Sequence, residues 1–378
     1  MKELRIALIG SGFMGRAHAM AFAAAARTFD LGVTPVLDIL ADRDAETAAA
    51  AAASLGFARS TGDWRAAVTD PAIDLVAIAT PNILHAPIAL AAIAAGKPVY
   101  CEKPLATTLA DAQAMTEAAE AAGLPTAVGF TYLYNPMIAV AREIIQGGEI
   151  GDVTAFRGIH AEDFMASADA PFNWRCETEN AGGALADIGS HIIAVARHLV
   201  GEIASVSGQL HTVHKARRDG AGGMRPVTID DQADAIVRFA GGATGTLSAS
   251  WIASGRKMGL GFEVSGSKGS IVFTQERFNE LQLYRAGTSG REGFTTIMAG
   301  PGHGDYGAFC PASGHQIGYN DLKTIEVKAA IDAVMGRPNS AKDFRDAWQV
   351  DLVADAIRQS AATGQWTAPR IETRRATA

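Results

Sequence analysis

The sequence contains little cysteine, little net charge and no long apolar run. Its 378 residues include three cysteines, which are far apart and show no CxxC or Cys/His metal-binding spacing: Cys101, Cys176 and Cys310. Few, separated cysteines argue against a disulfide scaffold and favour free thiols in a reducing compartment. A net charge of −7, with scattered basic residues, argues against a nucleic-acid-binding protein.

The longest apolar runs are also too short for a membrane span or a signal-peptide core. The first of them, residues 4–9, ends after six residues at a glycine turn. We therefore expect a cytoplasmic protein without a leader. Its length is sufficient for about two ordinary domains.

Apolar strands alternate with alanine-rich helical stretches over the first 130 residues. The predicted strands are residues 4–10, 35–42, 73–80, 98–104 and 125–130, and the predicted helices are residues 13–27, 44–55, 83–95 and 108–122. Strands that are apolar throughout are typical of a parallel sheet covered on both faces. The pattern predicts a doubly wound α/β domain of the Rossmann type over residues 1–129.

After residue 130 the apolar and polar residues alternate along longer strands. This pattern is typical of an antiparallel sheet with one covered face. Three helices are predicted among and after these strands, at residues 183–199, 321–335 and 342–362, with a glycine-rich loop at 299–319. We therefore expect an α+β domain with an open, mainly antiparallel sheet over residues 130–378.

A G-x-G-x-x-G segment links the first predicted strand to the first helix. It comprises Gly10, Ser11, Gly12, Phe13, Met14 and Gly15. In this strand–turn–helix context the glycines allow a tight turn and a close approach of a pyrophosphate to the backbone. The N-terminus of the following helix favours the anion. The segment predicts a dinucleotide site, although a plain tight turn would have the same pattern.

Acidic residues in and after the second strand bear on the choice of dinucleotide. Asp42 stands where a carboxylate accepts hydrogen bonds from the adenosine ribose, and it disfavours a 2′-phosphate, so we expect NAD. Arg43 is either an adenine or phosphate contact or an ordinary surface charge. Asp38 lies within the strand and is a weaker candidate for the ribose.

The ends of the third and fourth strands carry further candidates. Thr80 and Asn82 lie at a strand end that faces the cofactor crevice in such sheets, and His85 begins the helix behind them. Glu102 and Lys103 end the fourth strand, and the following proline restricts the backbone of Lys103. A lysine held there can stabilise charge on a substrate oxygen, whereas its ordinary alternative is a surface lysine.

A carboxylate and an imidazole stand four residues apart in the predicted helix 183–199. Asp187 and His191 would share one helical face, where the carboxylate can orient the ring as a general base. The same pair is half of a metal site, but no third ligand has a suitable spacing. We therefore expect no metal.

Taken together, the motifs GSGFMG, ATPN-x-x-H, CEKP and GGALADIGSH resemble those of the Gfo/Idh/MocA oxidoreductases over nearly the whole chain. The resemblance implies that Lys103, Asp187 and His191 form the catalytic group. It implies an NAD cofactor bound by the glycine segment, Asp42, Arg43, Thr80, Asn82, His85, Glu102 and Lys103. It further implies dimers or tetramers formed through the open sheet face.

The substrate implied by the resemblance is a cyclic polyol or a sugar. The segment 299–319 is similar to that of the scyllo-inositol and L-glucose dehydrogenases, with levoglucosan dehydrogenases as an alternative. Candidate substrate contacts besides the catalytic group are Trp174, Arg175, His315, Asn173, His160 and Tyr132. Two rival functions are an NADP-linked reductase of a keto-sugar and a non-catalytic sugar or NAD sensor, which would not need all three catalytic residues.

Overall fold

The computed structural model describes residues 2–180, 182–287 and 290–369 and forms two compact units. The first unit consists of Met1–Ala139 and Ala299–Trp348, and the second of Val140–Met298 and Gln349–Ala378. The sequence-based division at residue 129/130 differs from these units in two segments: residues 130–139 and 299–348 both belong to the first unit.

The first unit contains a six-stranded parallel sheet flanked by helices. Its strands are β1 (Lys2–Ile9), β2 (Val33–Ala41), β3 (Arg59–Thr61), β4 (Leu75–Ile78), β5 (Val99–Cys101) and β6 (Thr126–Val128). Its helices are α1 (Phe13–Thr28), α2 (Ala45–Leu55), α3 (Trp64–Thr69), α4 (His85–Ala94) and α5 (Leu109–Ala122). The strand order β3-β2-β1-β4-β5-β6 is that of the dinucleotide-binding fold. The predicted doubly wound domain is confirmed; the short polar β3 and the helix α3 were not predicted.

Residues 299–348 complete the first unit because an apolar helix packs into its core. This helix, α8, runs over Tyr319–Val334, and its Val327 and Ile331 share a core cluster with Phe22 of α1. The loop before it is anchored by the buried Tyr306 and by an edge contact between Phe309 and Phe29, whose ring centroids are 5.6 Å apart.

The second unit contains an eight-stranded mixed sheet in the order β16-β15-β14-β13-β7-β12-β11-β8. These strands are β7 (Val153–Ala161), β8 (Ile203–His211), β11 (Gln232–Phe239), β12 (Thr244–Ser250), β13 (Gly259–Gly266), β14 (Gly269–Thr274), β15 (Glu280–Arg285) and β16 (Thr295–Met298). A small separate hairpin pairs β9 (Ala216–Arg218) with β10 (Met224–Pro226). Only β7 and β12 pair in parallel among the described strands of the large sheet, so the predicted mainly antiparallel sheet is confirmed.

Three further helices are α6 (Pro136–Gln146), α7 (Ser190–Val200) and α9 (Phe344–Thr363), of which α6 was not predicted. One face of the large sheet is buried, and Gly158 lets Ile192 of α7 approach the strand closely. The other face alternates polar and exposed apolar residues, including Ile159 and Ile236. Within the described ranges, no helix is long and apolar enough to cross a lipid bilayer.

Candidate active site

The glycine segment forms a tight turn between β1 and α1. Gly10 has φ +96°, and a Cβ atom there would lie 2.6 Å from the Ala79 carbonyl oxygen. A Cβ atom on Gly15 would lie 2.1 Å from the Gly10 carbonyl oxygen, whereas Gly12 faces open space. The turn thus requires Gly10 and Gly15 for packing and leaves the Gly12 backbone accessible at the start of α1, as a bound pyrophosphate needs.

Asp42 ties the end of β2 to this turn. Its Oδ2 accepts hydrogen bonds from the backbone N–H and the hydroxyl of Ser11, at 2.8 and 2.5 Å. A carboxylate offers about four acceptor positions, so ribose hydroxyls still find acceptors there. Arg43 points into solvent and pairs with Asp44. Asp38 is buried and forms ion pairs with Arg5 and Arg59. These contacts indicate a structural role for Asp38 rather than the ribose contact considered above.

The end of β4 presents two polar groups, and His85 lies behind them. Within the described part of the chain, the buried hydroxyl oxygen of Thr80 has no hydrogen-bond partner, which fits a ligand contact. Asn82 is buried and begins a 3₁₀ turn. The ring of His85 is fully buried, with its nitrogens 2.9 Å from the Pro104 carbonyl oxygen and 3.1 Å from that of Thr80. This geometry favours a positioning role for His85 over the direct cofactor contact that we expected.

The turn after β5 carries Lys103, which is half-buried, and the Lys103–Pro104 peptide bond is cis. The neighbouring Glu102 side chain is buried beneath the turn. Its Oε1 lies 2.7 Å from His18 Nε2 and 2.8 Å from Lys323 Nζ, and its Oε2 accepts a long 3.3 Å bond from the Lys103 N–H. The carboxylate expected to contact the cofactor is therefore surrounded by protein groups.

Lys323 of α8 lies between two buried carboxyl groups, 2.8 Å from Glu102 and 2.8 Å from Glu326. Burial alone would raise the pKa of Glu102, but Lys323 and His18 lower it below its ordinary value. Burial raises the pKa of Glu326 to about 7 despite the nearby ammonium. Burial, together with Lys323, lowers the pKa of His18 to about 4. Near neutral pH the cluster thus contains an ionised Glu102, a charged Lys323 and a neutral His18.

An aromatic group lies beside the glycine turn. The ring of Tyr319 stacks on that of Phe13 at 6.0 Å, and its hydroxyl lies 3.3 Å from the sulfur of Met14. Tyr132 is 6.3 Å from Tyr319, centroid to centroid, so this predicted substrate contact lies in the first unit near the cofactor turn. Sequence reasoning missed Tyr319, because only its contacts in space with Phe13 and Met14 place it beside the glycine turn.

In the second unit the predicted helix 183–199 contains a π-turn near its start. Residues Leu185–Gly189 form this π-helical turn, and α-helical geometry resumes at Ser190. The first residue of the turn is bound by the buried Asp230, whose Oδ2 accepts a 2.8 Å hydrogen bond from the Leu185 N–H. Burial raises the pKa of Asp230 to about 6. The predicted helix is confirmed in its extent, because residues 183–200 are helical throughout. The π-turn within it was not predicted, because helix periodicity does not reveal the contact with Asp230; such π-turns are frequent at functional sites.

Asp187 lies within the π-turn and is bound by Arg175. The Arg175 Nε donates to Asp187 Oδ2 at 3.1 Å, and its guanidinium stacks over the Trp174 ring at 4.3 Å. Asn173 holds the turn on which both residues lie, since its Oδ1 accepts from the Arg175 N–H at 2.9 Å. The structure thus brings Asp187 together with three predicted residues that are consecutive in the sequence, Asn173, Trp174 and Arg175.

His191 is the second residue of the helix α7 that follows the π-turn, and its ring packs against that of His160 with centroids 5.5 Å apart. Both rings are almost fully buried. His160 lies with one nitrogen 2.8 Å from the Ile188 carbonyl oxygen and the other 3.0 Å from a Glu162 carboxylate oxygen. His160 therefore links strand β7 to the π-turn next to the predicted base.

His315 lies in the loop before α8, which belongs to the first unit. Its side chain is exposed, and its Nδ1 is 3.3 Å from the Ala312 carbonyl oxygen. Over the described residues, no group of three or more histidine, cysteine or acidic side chains is arranged as a metal site.

Comparisons with known proteins agree with this geometry. Residues 4–130 match the model of an oxidoreductase family with an NAD-binding Rossmann fold, and residues 138–272 match that of the GFO/IDH/MocA C-terminal domain. The glycine turn, Asp42 and the buried Thr80 hydroxyl, which has no hydrogen-bond partner among the described residues, fit a bound NAD.

Individual relatives cover most of the chain. Levoglucosan dehydrogenase from Pseudarthrobacter phenanthrenivorans is 40% identical to this chain. The alignment is 382 positions long and covers 97% of this chain and 98% of that protein. A solved structure of levoglucosan dehydrogenase in complex with NADH and levoglucosan has a TM-score of 0.95 at 40% identity and covers 98% of this chain and 100% of its own. The scyllo-inositol 2-dehydrogenase (NAD(+)) of Bacillus subtilis is 29% identical over 75% of this chain and 78% of its own length.

Proposed function

Since the chain belongs to the Gfo/Idh/MocA family of oxidoreductases and binds NAD, we propose that it oxidises a ring hydroxyl of levoglucosan or of a closely related pyranose. The sugar or polyol dehydrogenase activity is that of the family. The individual sugar is the part that we propose.

The proposal is supported above all by identity along the whole chain. A levoglucosan dehydrogenase matches it at 40% from end to end, whereas the inositol enzyme matches at 29% over three quarters of the chain. This difference reverses the order expected from the sequence, in which the inositol and L-glucose enzymes came before levoglucosan dehydrogenase. Oxidation of scyllo- or myo-inositol, or of L-glucose, remains the second candidate because of the inositol relative.

The proposed reaction uses three side chains of the chain. His191 takes the proton of the hydroxyl group, and Asp187, bound by Arg175, orients the imidazole and stabilises its charge. Lys103 donates a hydrogen bond to the same oxygen as the carbonyl forms. Bound NAD⁺ supplies the nicotinamide that accepts the hydride. The C–H and O–H bonds of the alcohol are broken, and the products are a ketone or a lactone, NADH and one proton.

Arg175, Trp174 and Asn173 are proposed to contact the ring hydroxyls, with His160, His315 and Tyr132 as further candidates. Arg175 has several N–H donors and already binds Asp187, so it can couple recognition of the sugar to the orientation of the carboxylate. A sensor without catalysis would need no such arrangement around Asp187.

The test is a substrate panel followed by absorbance at the nicotinamide band. Levoglucosan, L-glucose, scyllo-inositol and myo-inositol are each offered with NAD⁺ and with NADP⁺. We expect the highest kcat/KM for levoglucosan with NAD⁺. A higher kcat/KM for an inositol would favour the second candidate, and a preference for NADP⁺ would favour the keto-sugar reductase.

We also propose that copies of the chain associate through the open face of the large sheet, as a dimer or a tetramer. On this face Ile159 and Ile236 are 44% and 54% exposed, and an Arg157–Glu263 ion pair lies beside Ile159. Exposed apolar residues on a regular sheet face are typical of an interaction surface. Sedimentation of Ile159→Lys should reveal a smaller species than the wild type. The cytoplasmic location remains a prediction from the sequence.

A further inference from the structure

We propose that Lys323 and His85 are positioning residues for Lys103: they fix, from opposite sides, the turn that presents this lysine. The inference rests on the proposed role of Lys103 in the reaction. Neither residue would touch the sugar.

On the N-terminal side of Lys103 the fixed point is the Glu102 carboxylate. Lys323 Nζ and His18 Nε2 lie 2.8 and 2.7 Å from the same oxygen, so the side chain has little freedom to rotate. Its second oxygen accepts from the Lys103 N–H. Gly129 allows this packing, since a Cβ atom there would lie 2.6 Å from the carboxylate.

On the C-terminal side the fixed point is the Pro104 carbonyl. His85 Nδ1 lies 2.9 Å from this oxygen, and its Nε2 lies 3.1 Å from the Thr80 carbonyl oxygen. Burial lowers the pKa of His85, so the ring is neutral and carries one N–H, which donates to one of these carbonyl oxygens while the ring packs against the other. The imidazole thus lies between the Lys103 turn and the end of the neighbouring strand β4. Since the ring is fully buried, solvent does not compete for these contacts.

The cost of this arrangement argues for a role beyond stability. Lys323 is fully buried, and its two carboxyl partners, Glu102 and Glu326, are 5% and 1% exposed. Removing such charges from water costs about as much as their attraction returns, so apolar residues of similar size often stabilise a protein equally well. What a buried ion cluster adds is a defined geometry. Here the cluster fixes the Glu102 carboxylate, which accepts a hydrogen bond from the backbone N–H of Lys103.

The experiment compares Lys323→Met with Asp38→Asn. The control removes the charge of another buried carboxyl group in the same sheet, which pairs with Arg5 and Arg59 and not with the Lys103 turn. For Lys323→Met we expect kcat to fall about ten- to a hundred-fold, as for small displacements of a catalytic group. The KM for the sugar and the affinity for NADH should stay within about twofold, and Asp38→Asn should keep all three values.

A second readout does not need turnover. Lysines of the cofactor-free protein are labelled by reductive ¹³C-methylation, and the Lys103 line is identified by its loss in Lys103→Arg. We expect this line to shift or broaden in Lys323→Met and in His85→Phe, but not in Asp38→Asn. If Lys323→Met does not fold, Lys323→Met/Glu326→Gln, which leaves one buried carboxylate instead of two, is measured in its place.

An unchanged Lys103 line together with a kcat within twofold of the wild type would overturn the inference. So would an equal loss of NADH affinity and of kcat, which would mean general loosening of the unit. If the wild type oxidised no sugar while the line still moved in Lys323→Met but not in the control, the proposed function would be wrong and the positioning role would stand.

Discussion

The turn that carries Lys103 and the turn that carries Asp187 are stabilised in opposite ways. The first rests on a buried cluster of charged groups, in which Lys323 lies 221 residues after its partner Glu102. The second is an irregular π-turn that begins on a single buried carboxyl group, Asp230, and is bound from its flank by His160. The comparison teaches that a turn can be fixed either by a cluster of buried charges or by a helical irregularity that one buried carboxyl group stabilises.

The largest effect should come from the helix that follows the second turn. Replacing His191 with alanine removes the proposed general base, and we expect kcat to fall about 10²- to 10⁴-fold. NADH binding, followed by fluorescence, should persist because the cofactor residues lie in the first unit. The exposed His211→Ala of the same unit is the control. A kcat above half of the wild-type value would contradict the role of His191.

The next effect separates two predicted substrate contacts. Arg175 binds Asp187, so Arg175→Ala should lower kcat and raise the KM for the sugar, with a loss of about ten- to a hundred-fold in kcat/KM. His315→Ala, whose side chain is exposed in the loop before α8, should change only KM. Steady-state kinetics of both variants on levoglucosan measures the two effects. Equal effects of both variants would mean that the contact with Asp187 has no catalytic consequence.

Asp42 tests the cofactor side of the first unit, at the glycine turn. Its replacement by serine removes the charge that opposes a 2′-phosphate, so the ratio of kcat/KM values for NAD⁺ and NADP⁺ should move about tenfold toward NADP⁺. Asp44→Ser is the matched control, because Asp44 caps α2 two residues later and should affect only stability. A wild type that already prefers NADP⁺ would make Arg43 the phosphate contact.

The smallest effects concern pH, and they distinguish the two turns directly. Glu326 releases its proton at about pH 7 in the folded protein and near pH 4.5 in the unfolded chain. Within this window the folded state holds the extra proton, so the free energy of unfolding falls as the pH rises. For Asp230 the corresponding window runs from about pH 3.8 to about pH 6.

Melting temperatures across this pH range provide the measurement. Relative to the wild type, Glu326→Gln should gain stability up to about pH 7, and Asp230→Asn only up to about pH 6. One unit of pKa shift corresponds to about 1.4 kcal/mol, so differences of a few degrees are expected. Parallel curves for the two variants and the wild type would show that neither carboxyl group keeps its proton on folding.

The sequence was sufficient where a local pattern determines the structure. The alternating strands and helices predicted the parallel sheet, and the glycine segment predicted a turn in which Gly10 and Gly15 are required by packing. Spacing also predicts Asp187 and His191 as one group, and both this grouping and the roles of the two residues remain proposals.

Contacts between distant segments could not be predicted. The π-turn depends on Asp230, which lies 45 residues after the backbone N–H that it binds. The sequence predicted the helix that contains Lys323 within the second domain, because periodicity does not indicate which sheet a helix covers. Glu102 and His85 stand in motif positions, but both side chains are buried and contact protein groups rather than a ligand site.

The return of residues 299–348 to the first unit has a consequence for synthesis on the ribosome. Until α8 has been made, the nascent Rossmann segment lacks Lys323, and burial of Glu102 would leave its charge without the ammonium partner. Translation proceeds at about 5–20 residues per second, so this partner follows Glu102 by about ten to forty seconds. During that interval the nascent strands around β5 would be exposed to chaperones and proteases, and a ribosome stalled before α8 should display a Rossmann segment that is still sensitive to proteolysis.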